Sequence, residues 1–255
     1  MNNRLQEKTW QEAAELIKIS GGVAIIPVGS VEQHGYHLPL GTDSYVAISL
    51  AEAAAERTNV LVTPPVWYGW CPHHLALPGS VSIRAEILIE LLYDIISSLS
   101  LHGVKKFVVL NGHRIVNIAW MSISAEKAQR QLGVTVKIFD PGYMSKSLIA
   151  SLNYGPLGHA EEIETSQMLH CYPDMVHMDR AKDNPIPPPN LYSPDPSYGG
   201  DTLCYVPLSA EDMQHSIDAA GGTSGRPTKA TAENGKIYFE HLLGHLITVI
   251  EGLKK

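Results

Sequence analysis

Cysteine is scarce in this chain of 255 residues, which contains three: Cys71, Cys171 and Cys204. The number is odd and no pair has Cys-x-x-Cys spacing, which argues against both a disulfide framework and a thiolate zinc site. We therefore expect these residues to be inert thiols in a reducing compartment.

Long hydrophobic segments are also missing. The longest apolar stretch, residues 87–101, is interrupted by Glu90 and Asp94 and is shorter than the roughly 20 residues that span a bilayer. The N-terminal residues are polar and contain no apolar segment of the kind that a signal peptide needs. The sequence thus predicts a cytoplasmic protein with no membrane partner, in which residues 87–101 form a core helix.

Positive charge is in deficit. There are 19 Lys and Arg residues against 26 Asp and Glu, for a formal net charge of −7, and the basic residues are scattered along the chain. A nucleic-acid-binding protein normally concentrates basic residues on one surface. We therefore expect no nucleic-acid partner and a small-molecule substrate instead.

Short apolar runs alternate with longer segments of helical period, which is the pattern of βαβ units around a mainly parallel sheet. Strands are predicted at residues 23–28, 60–64, 106–110 and 134–139. Helices are predicted at residues 10–17, 44–57, 84–102, 115–131, 162–172 and 232–253. The expected fold class is α/β, with a single-domain, mainly parallel sheet flanked by helices.

A proline-rich segment interrupts this pattern at residues 184–207, where seven prolines prevent regular helix. Only one good helix is predicted after it, which is too little for a second core. We therefore interpret residues 1–255 as one domain that contains a long irregular loop.

Imidazoles and carboxylates concentrate in three predicted loops. In an open parallel sheet, ligands bind beyond the carboxyl ends of the strands, where such loops meet. Carboxylate and imidazole together are typical ligands of zinc, manganese or iron, and they suit a two-metal hydrolytic site. The residues concerned are Glu32, His34, His37 and Asp43 after the first strand, His113 after the third, and His159 with Glu161, Glu162 and Glu164 further on.

Each of these residues also has an ordinary structural interpretation. Asp43 precedes a predicted helix and suits its N-cap. Asn111-Gly112-His113 is a common turn sequence with a solvent-facing histidine, and His159 alone is compatible with a surface position. The glutamates at 161–164 suit a helix dipole.

Taken in order, these motifs resemble the creatininase (creatinine amidohydrolase) family. The matching residues are Glu32-Gln33-His34-Gly35, Asp43, Asn111-Gly112-His113, His159 and Glu164-Thr165-Ser166, with weaker matches at 77–82 and 225–235. The resemblance implies an α/β fold around a binuclear metal centre and hydrolysis of a carbon–nitrogen bond in a small amide. It also implies a homohexamer built as a trimer of dimers.

The resemblance assigns metal ligands residue by residue. Glu32, His34, Asp43 and His113 match four ligands of two divalent ions, with Asp43 at the bridging position. Creatinine amidohydrolase has a further carboxylate two residues after the histidine, where this chain has Ile115. Many relatives instead carry a glutamate three residues after the later histidine, so we expect Glu162 to be the fifth ligand.

The expected chemistry is attack of metal-activated hydroxide on a carbonyl, with His159 delivering a proton to the leaving nitrogen. Creatinine amidohydrolase closes indoles over its flat substrate, and tryptophan is missing from the two corresponding segments here, 140–143 and 154–157. We therefore expect a polar substrate rather than creatinine. The candidate substrate-binding residues are His37, Ser80, Trp70 and Tyr143.

Two other functions compete with amide hydrolysis. One is hydrolytic carbon–carbon opening of a keto-cyclitol such as 3-dehydro-scyllo-inosose, an activity attributed to some members of the family. Both reactions begin with attack of a metal-activated hydroxide on a carbonyl, so the metal-ligand residues do not distinguish ring opening from amide hydrolysis. The other is a non-catalytic metal-binding accessory protein, against which the presence of both His159 and Glu162 argues.

Overall fold

Four parallel strands form the central sheet of the computed structural model, which describes residues 3–186 and 209–255 and, between them, two short strands. The strands of the sheet are β1 (Val23–Val28), β2 (Leu61–Val62), β3 (Lys106–Asn111) and β4 (Thr135–Phe139), in the order β2-β1-β3-β4. The two short strands, β5 (Tyr192–Ser193) and β6 (Cys204–Tyr205), pair in parallel with each other. The fold class predicted from the sequence, a parallel sheet flanked by helices, is confirmed.

Nine α-helices are described. They are α1 (Trp10–Ile19), α2 (Thr42–Thr58), α3 (Ala85–Leu101), α4 (Ile118–Leu132), α5 (Pro141–Met144), α6 (Lys146–Ser151), α7 (Glu162–Cys171), α8 (Ala210–Ala220) and α9 (Ala232–Lys254). Short 3₁₀ turns occur at Leu5–Glu7, Pro72–His74, Pro173–Met175, Met178–Arg180 and Pro227–Lys229.

Side chains of the inner strands alternate between two cores, because successive residues of a strand point to opposite faces. Ile25 and Val108 pack with α2 and α9 on one face. Ile26 and Val109 pack with α1, α3 and α4 on the other. The sheet is therefore covered on both faces, as its nearly continuous apolar strands predict.

Helix α3 packs one face into the core, as expected for residues 87–101, and exposes the opposite face. Leu88, Leu92 and Ile96 are buried in the core that α3 shares with α1 and α4, whereas Ile87 and Leu91 are exposed. Among the described residues, no helix combines the length and apolarity needed to cross a membrane.

The prediction of a single helix after the proline-rich segment is wrong, because α8 precedes α9. A capping box starts α8: Asp212 N–H donates to Ser209 Oγ, and Ser209 N–H donates to the Asp212 carboxylate. Gly221 ends it in the left-handed conformation at φ 65°. Most of the proline-rich segment itself, 187–207, lies outside the described residues apart from β5 and β6.

Candidate metal centre

The loops after β1 and β3 start next to each other at the carboxyl edge of the sheet, because Val28 pairs with Asn111. Gly112 lets the second loop approach the start of α2: a Cβ on this glycine would lie 2.0 Å from the backbone oxygen of Asp43. The side chain of Asn111 donates to His113 O at 2.9 Å and to Asp140 Oδ2 at 2.7 Å. Together these contacts fix His113 beside Asp43.

Asp43 lies at the centre of the site and is almost fully buried. It occupies the first turn of α2, whose N-cap is Gly41, so the N-cap interpretation of Asp43 is wrong. Its Oδ2 is 3.0 Å from His113 Nδ1, and its Oδ1 is 3.2 Å from His34 Nε2. The two oxygens of one carboxylate therefore face two different imidazoles.

Two sets of ligand atoms share Asp43. Glu32, Asp43 and His113 form one set, and His34, Asp43 and Glu164 form the other, each with its ligand atoms within 4.8 Å of one another. Glu32 Oε1 and Asp43 Oδ2 are buried and have no hydrogen-bond partner among the residues that the structure describes. Buried, unpartnered carboxylate oxygens beside imidazoles are what a divalent cation requires, so these residues fit a metal centre.

The electrostatics of the site also favour a cation. Burial by itself would lower the pKa of His34, but the carboxylates of Asp43, Glu164 and Glu32 outweigh it and raise that pKa to about 10. Burial would raise the pKa of Glu32, yet the imidazoles of His113 and His74 hold it well below its usual value. The carboxylates thus remain charged and attract positive charge to the space between them.

Glu162 is not brought to this group, contrary to the ligand assignment made from the sequence. Its Oε1 accepts the N–H of Gly155 at 2.9 Å and its Oε2 accepts the N–H of Arg226 at 2.6 Å. Glu164 lies in the group instead, with Oε2 3.7 Å from His34 Nε2. Residues two apart on a helix lie about 200° apart around its axis, so both cannot face the same ion.

Arg114 fixes the orientation of Glu164. The buried guanidinium Nη2 lies 2.7 Å from Glu164 Oε1 and 2.7 Å from Glu161 Oε1. Glu161 is the N-cap residue of α7, and Glu164 lies in the first turn of that helix. Because Arg114 holds Oε1 of Glu164, Oε2 is left pointing towards His34.

Ile115 and Ala160, which flank the proposed ligands, have left-handed backbone although neither is glycine. Ile115, at φ 67°, donates its N–H to Asp140 Oδ2 at 2.7 Å. Ala160, at φ 49°, donates its N–H to Glu164 Oε2 at 2.7 Å. A β-branched residue rarely adopts this conformation, and such strain persists only where surrounding contacts enforce it.

His159 reaches the same site from the segment before α7. Its Nε2 is 2.5 Å from the carbonyl oxygen of Gln33, and its Nδ1 is 3.7 Å from Glu32 Oε1. Burial, together with the neighbouring imidazoles of His74 and His34, lowers the pKa of His159 well below its usual value. His159 is therefore held as a neutral imidazole near the carboxylates.

Two further histidines, His73 and His74, were not among the residues predicted from the sequence; they lie on the 3₁₀ turn Pro72–His74 and are both buried. His74 Nε2 is 3.1 Å from Glu32 Oε1. The His73 ring is stacked on that of His113, with centroids 6.3 Å apart. The adjacent histidines after Pro72 were the only sequence signal for this part of the site. The contact of His74 with Glu32 joins residues far apart in the chain, so local periodicity does not reveal it.

The four candidate substrate-binding residues are placed differently. His37 is buried, with Nε2 2.9 Å from Thr165 Oγ1, and Ser80 Oγ accepts the N–H of Gln33. Trp70 packs against the core formed by α1, α3 and α4, and the exposed Tyr143 lies under the ammonium group of Lys146. These contacts give His37 and Ser80 roles in holding the loops, while Trp70 supports the core.

Comparison with known proteins decides the family. A family model described as creatininase (creatinine amidohydrolase) matches residues 6–250. The chain belongs to the creatininase family. A solved structure named Creatininase Mn has a TM-score of 0.81 and 25% identity, covering 99% of this chain and 98% of that one. A solved structure of a mutant creatininase of the Zn-Zn type has a TM-score of 0.81 and 26% identity, and the match also covers 99% of this chain and 98% of that one.

Relatives within this family act on different substrates. A 3-dehydro-scyllo-inosose hydrolase from Thermotoga maritima is 27% identical over 97% of this chain and 82% of its own length. A creatinine amidohydrolase from Pseudomonas putida is 29% identical over 75% of this chain and 81% of its own length. A mycofactocin precursor peptide peptidase from Mycobacterium ulcerans is 31% identical over 89% of this chain and 83% of its own length. All three are hydrolases, and this creatininase-family chain is therefore a hydrolase as well.

Proposed function

We propose that this chain hydrolyses a small polar carbonyl compound, an amide, formamide or lactam, with two divalent ions of zinc, manganese or iron. The observation that carries the proposal is the position of Asp43, whose two oxygens face separate sets of ligand atoms. Bound there, two ions would polarise the carbonyl and supply an activated water. Related creatininases with Mn and with the Zn-Zn pair support manganese and zinc among these metals.

The ligand assignment follows the two sets. Glu32 and His113 would hold one ion, His34 and Glu164 the other, and Asp43 both. Glu32, Asp43 and Glu164 together bring three negative charges, which with one hydroxide balance the charge of two divalent ions. Glu164 thus replaces Glu162 as the proposed fifth ligand.

His159 is the proposed acid–base residue. Its Nε2 is engaged by the carbonyl of Gln33, so Nδ1 is the atom that faces the site. A neutral imidazole at that position takes up a proton at Nδ1 and returns it to the leaving nitrogen, which otherwise departs as an unstable anion.

The surroundings of the site support a polar substrate. Buried imidazoles and carboxylates dominate it, whereas Trp120 is in the core and Trp67 packs edge-on against Tyr45. Hydrolytic ring opening of a keto-cyclitol is the second candidate. It is favoured by the Thermotoga relative, whose alignment extends over 97% of this chain.

A substrate screen of the zinc- or manganese-loaded protein tests the proposal. We expect turnover of a polar amide, formamide, lactam or keto-cyclitol, and a lower kcat/KM for creatinine. Two missing indole contacts, each worth about 0.5–1.5 kcal/mol, would cost up to about 3 kcal/mol, or roughly a hundredfold. A creatinine kcat/KM at or above that of every polar candidate would refute the substrate class.

Paired substitutions on α7 test the fifth ligand. We expect Glu164→Gln to lower the ion content by about one per chain, since it removes the charge that faces His34. Glu162→Gln should keep both ions. It should lower the free energy of unfolding by about 1–3 kcal/mol, because an amide nitrogen would face a backbone N–H of Gly155 or Arg226.

Elemental analysis and urea unfolding of both variants provide the measurements. If Glu162→Gln empties a site while Glu164→Gln does not, Glu162 is the ligand and the assignment from the structure fails.

A further inference from the structure

Gln33 lies between two proposed ligands, Glu32 and His34, yet its own side chain is not among the ligand atoms. The side chain is buried and makes several hydrogen bonds. Its Oε1 accepts the N–H of Gly35 at 3.0 Å. Because a backbone N–H can only donate, this contact fixes which end of the amide is oxygen and which is nitrogen.

The nitrogen end of Gln33 faces His74. Gln33 Nε2 is 2.9 Å from His74 Nδ1 and 3.3 Å from the carbonyl oxygen of Gly222. An amide NH₂ only donates, so His74 Nδ1 accepts, and the proton of the neutral imidazole is on Nε2. That N–H is the end of His74 that lies 3.1 Å from Glu32 Oε1.

The backbone of Gln33 holds the second imidazole by its opposite end. The carbonyl oxygen only accepts, so His159 Nε2 donates to it and Nδ1 carries the lone pair. His159 Nδ1 is the atom that faces Glu32 Oε1, at 3.7 Å. The two rings lie side by side, with centroids 4.3 Å apart.

We propose that Gln33 is a positioning residue that gives His74 and His159 the same tautomer, with the proton on Nε2, but presents opposite ends of the two rings to the site. His74 then offers an N–H donor, and His159 offers a lone pair. The tautomer excludes His74 from the metal ligands, because its remaining lone pair is bound by Gln33. His74 Nε2–H is instead free to donate to the oxygen of a carbonyl substrate bound beside Glu32.

This inference rests on the proposed function for its catalytic meaning, but its test needs no substrate. The zinc-loaded full-length protein is labelled with ¹⁵N-histidine, and long-range ¹H–¹⁵N correlation spectra identify which ring nitrogen carries the proton. Spectra of His74→Gln and His159→Asn assign the two residues. In the wild type we expect a protonated Nε2 and a bare Nδ1 on His74, and a protonated Nε2 on His159.

Gln33→Glu provides a matched change with an internal control. A carboxylate cannot donate, so it should move a proton onto His74 Nδ1. His159 should keep its protonated Nε2, because its partner is the unchanged backbone carbonyl. Protonation of His74 Nδ1 in the wild type overturns the proposal whether or not the variant folds, as does a His74 signal that Gln33→Glu leaves unchanged.

Ion content separates this inference from the proposed function. We expect His74→Gln to retain the full number of zinc ions per chain, and a loss of one ion would show that His74 is a ligand. Failure of the substrate screen would refute the proposed reaction and leave the tautomer result standing.

Discussion

The Asp43→Asn variant is expected to bind at most one divalent ion per chain and to lose hydrolytic activity. Asp43 presents Oδ2 to His113 and Oδ1 to His34, and a carboxamide has only one oxygen with which to replace them. The substitution also removes one of the negative charges that offset two divalent ions. Elemental analysis after metal loading and activity on the best substrate of the screen provide the measurements.

Asp218→Asn is the matched control, because it removes the same charge from an exposed position on α8. It should bind the wild-type number of ions and retain activity. Far-ultraviolet circular dichroism should show both variants folded, since the Asp43 side chain makes no hydrogen bond that caps the N-terminus of α2. Two ions bound to Asp43→Asn would mean that this carboxylate does not bridge them.

His159→Asn is expected to lower kcat by about 10²–10⁴ while the ion content stays unchanged. His159 Nδ1 lies 3.7 Å from Glu32 Oε1, close enough to exchange a proton with a substrate bound at the carboxylates. Asparagine cannot take up a proton at neutral pH, which removes the acid–base function but preserves a polar side chain. The exposed His102→Asn is the control and should leave both quantities unaltered.

His159 also belongs to a compact group with Glu32 and His34, so a ligand role makes a different prediction. Were His159 a ligand, the variant would lose metal together with activity. The ratio of the two losses therefore distinguishes a proton-transfer residue from a metal ligand.

The four strands of the central sheet and six of the nine described helices could be predicted because their signals are local, whereas β5, β6, α5 and α6 were not predicted. The strands of the central sheet are short, largely apolar runs, and β2 is shorter than predicted, at Leu61–Val62 before Pro64. Helix α8 was missed although Ser209, Asp212 and Gly221 marked both of its ends.

The loops that form the site could be predicted from the sequence, but the orientation of α7 and the position of His74 could not. The rule that ligands bind at the carboxyl ends of parallel strands correctly brought Glu32, His34, Asp43 and His113 together. The choice between Glu162 and Glu164 depended on the rotation of α7 about its axis, which is set by the pairing of Glu161 and Glu164 with Arg114. His74 could not be predicted as part of the site, because its place there depends on a contact between Gln33 and a 3₁₀ turn distant in sequence.

Anomalous diffraction from crystals of the manganese-loaded protein tests most directly whether Asp43 joins two metal sites. We expect two peaks, one on each side of the Asp43 carboxylate, with Glu32 and His113 at the first and His34 and Glu164 at the second. A single peak, or two peaks of which neither contacts Asp43, would contradict the account.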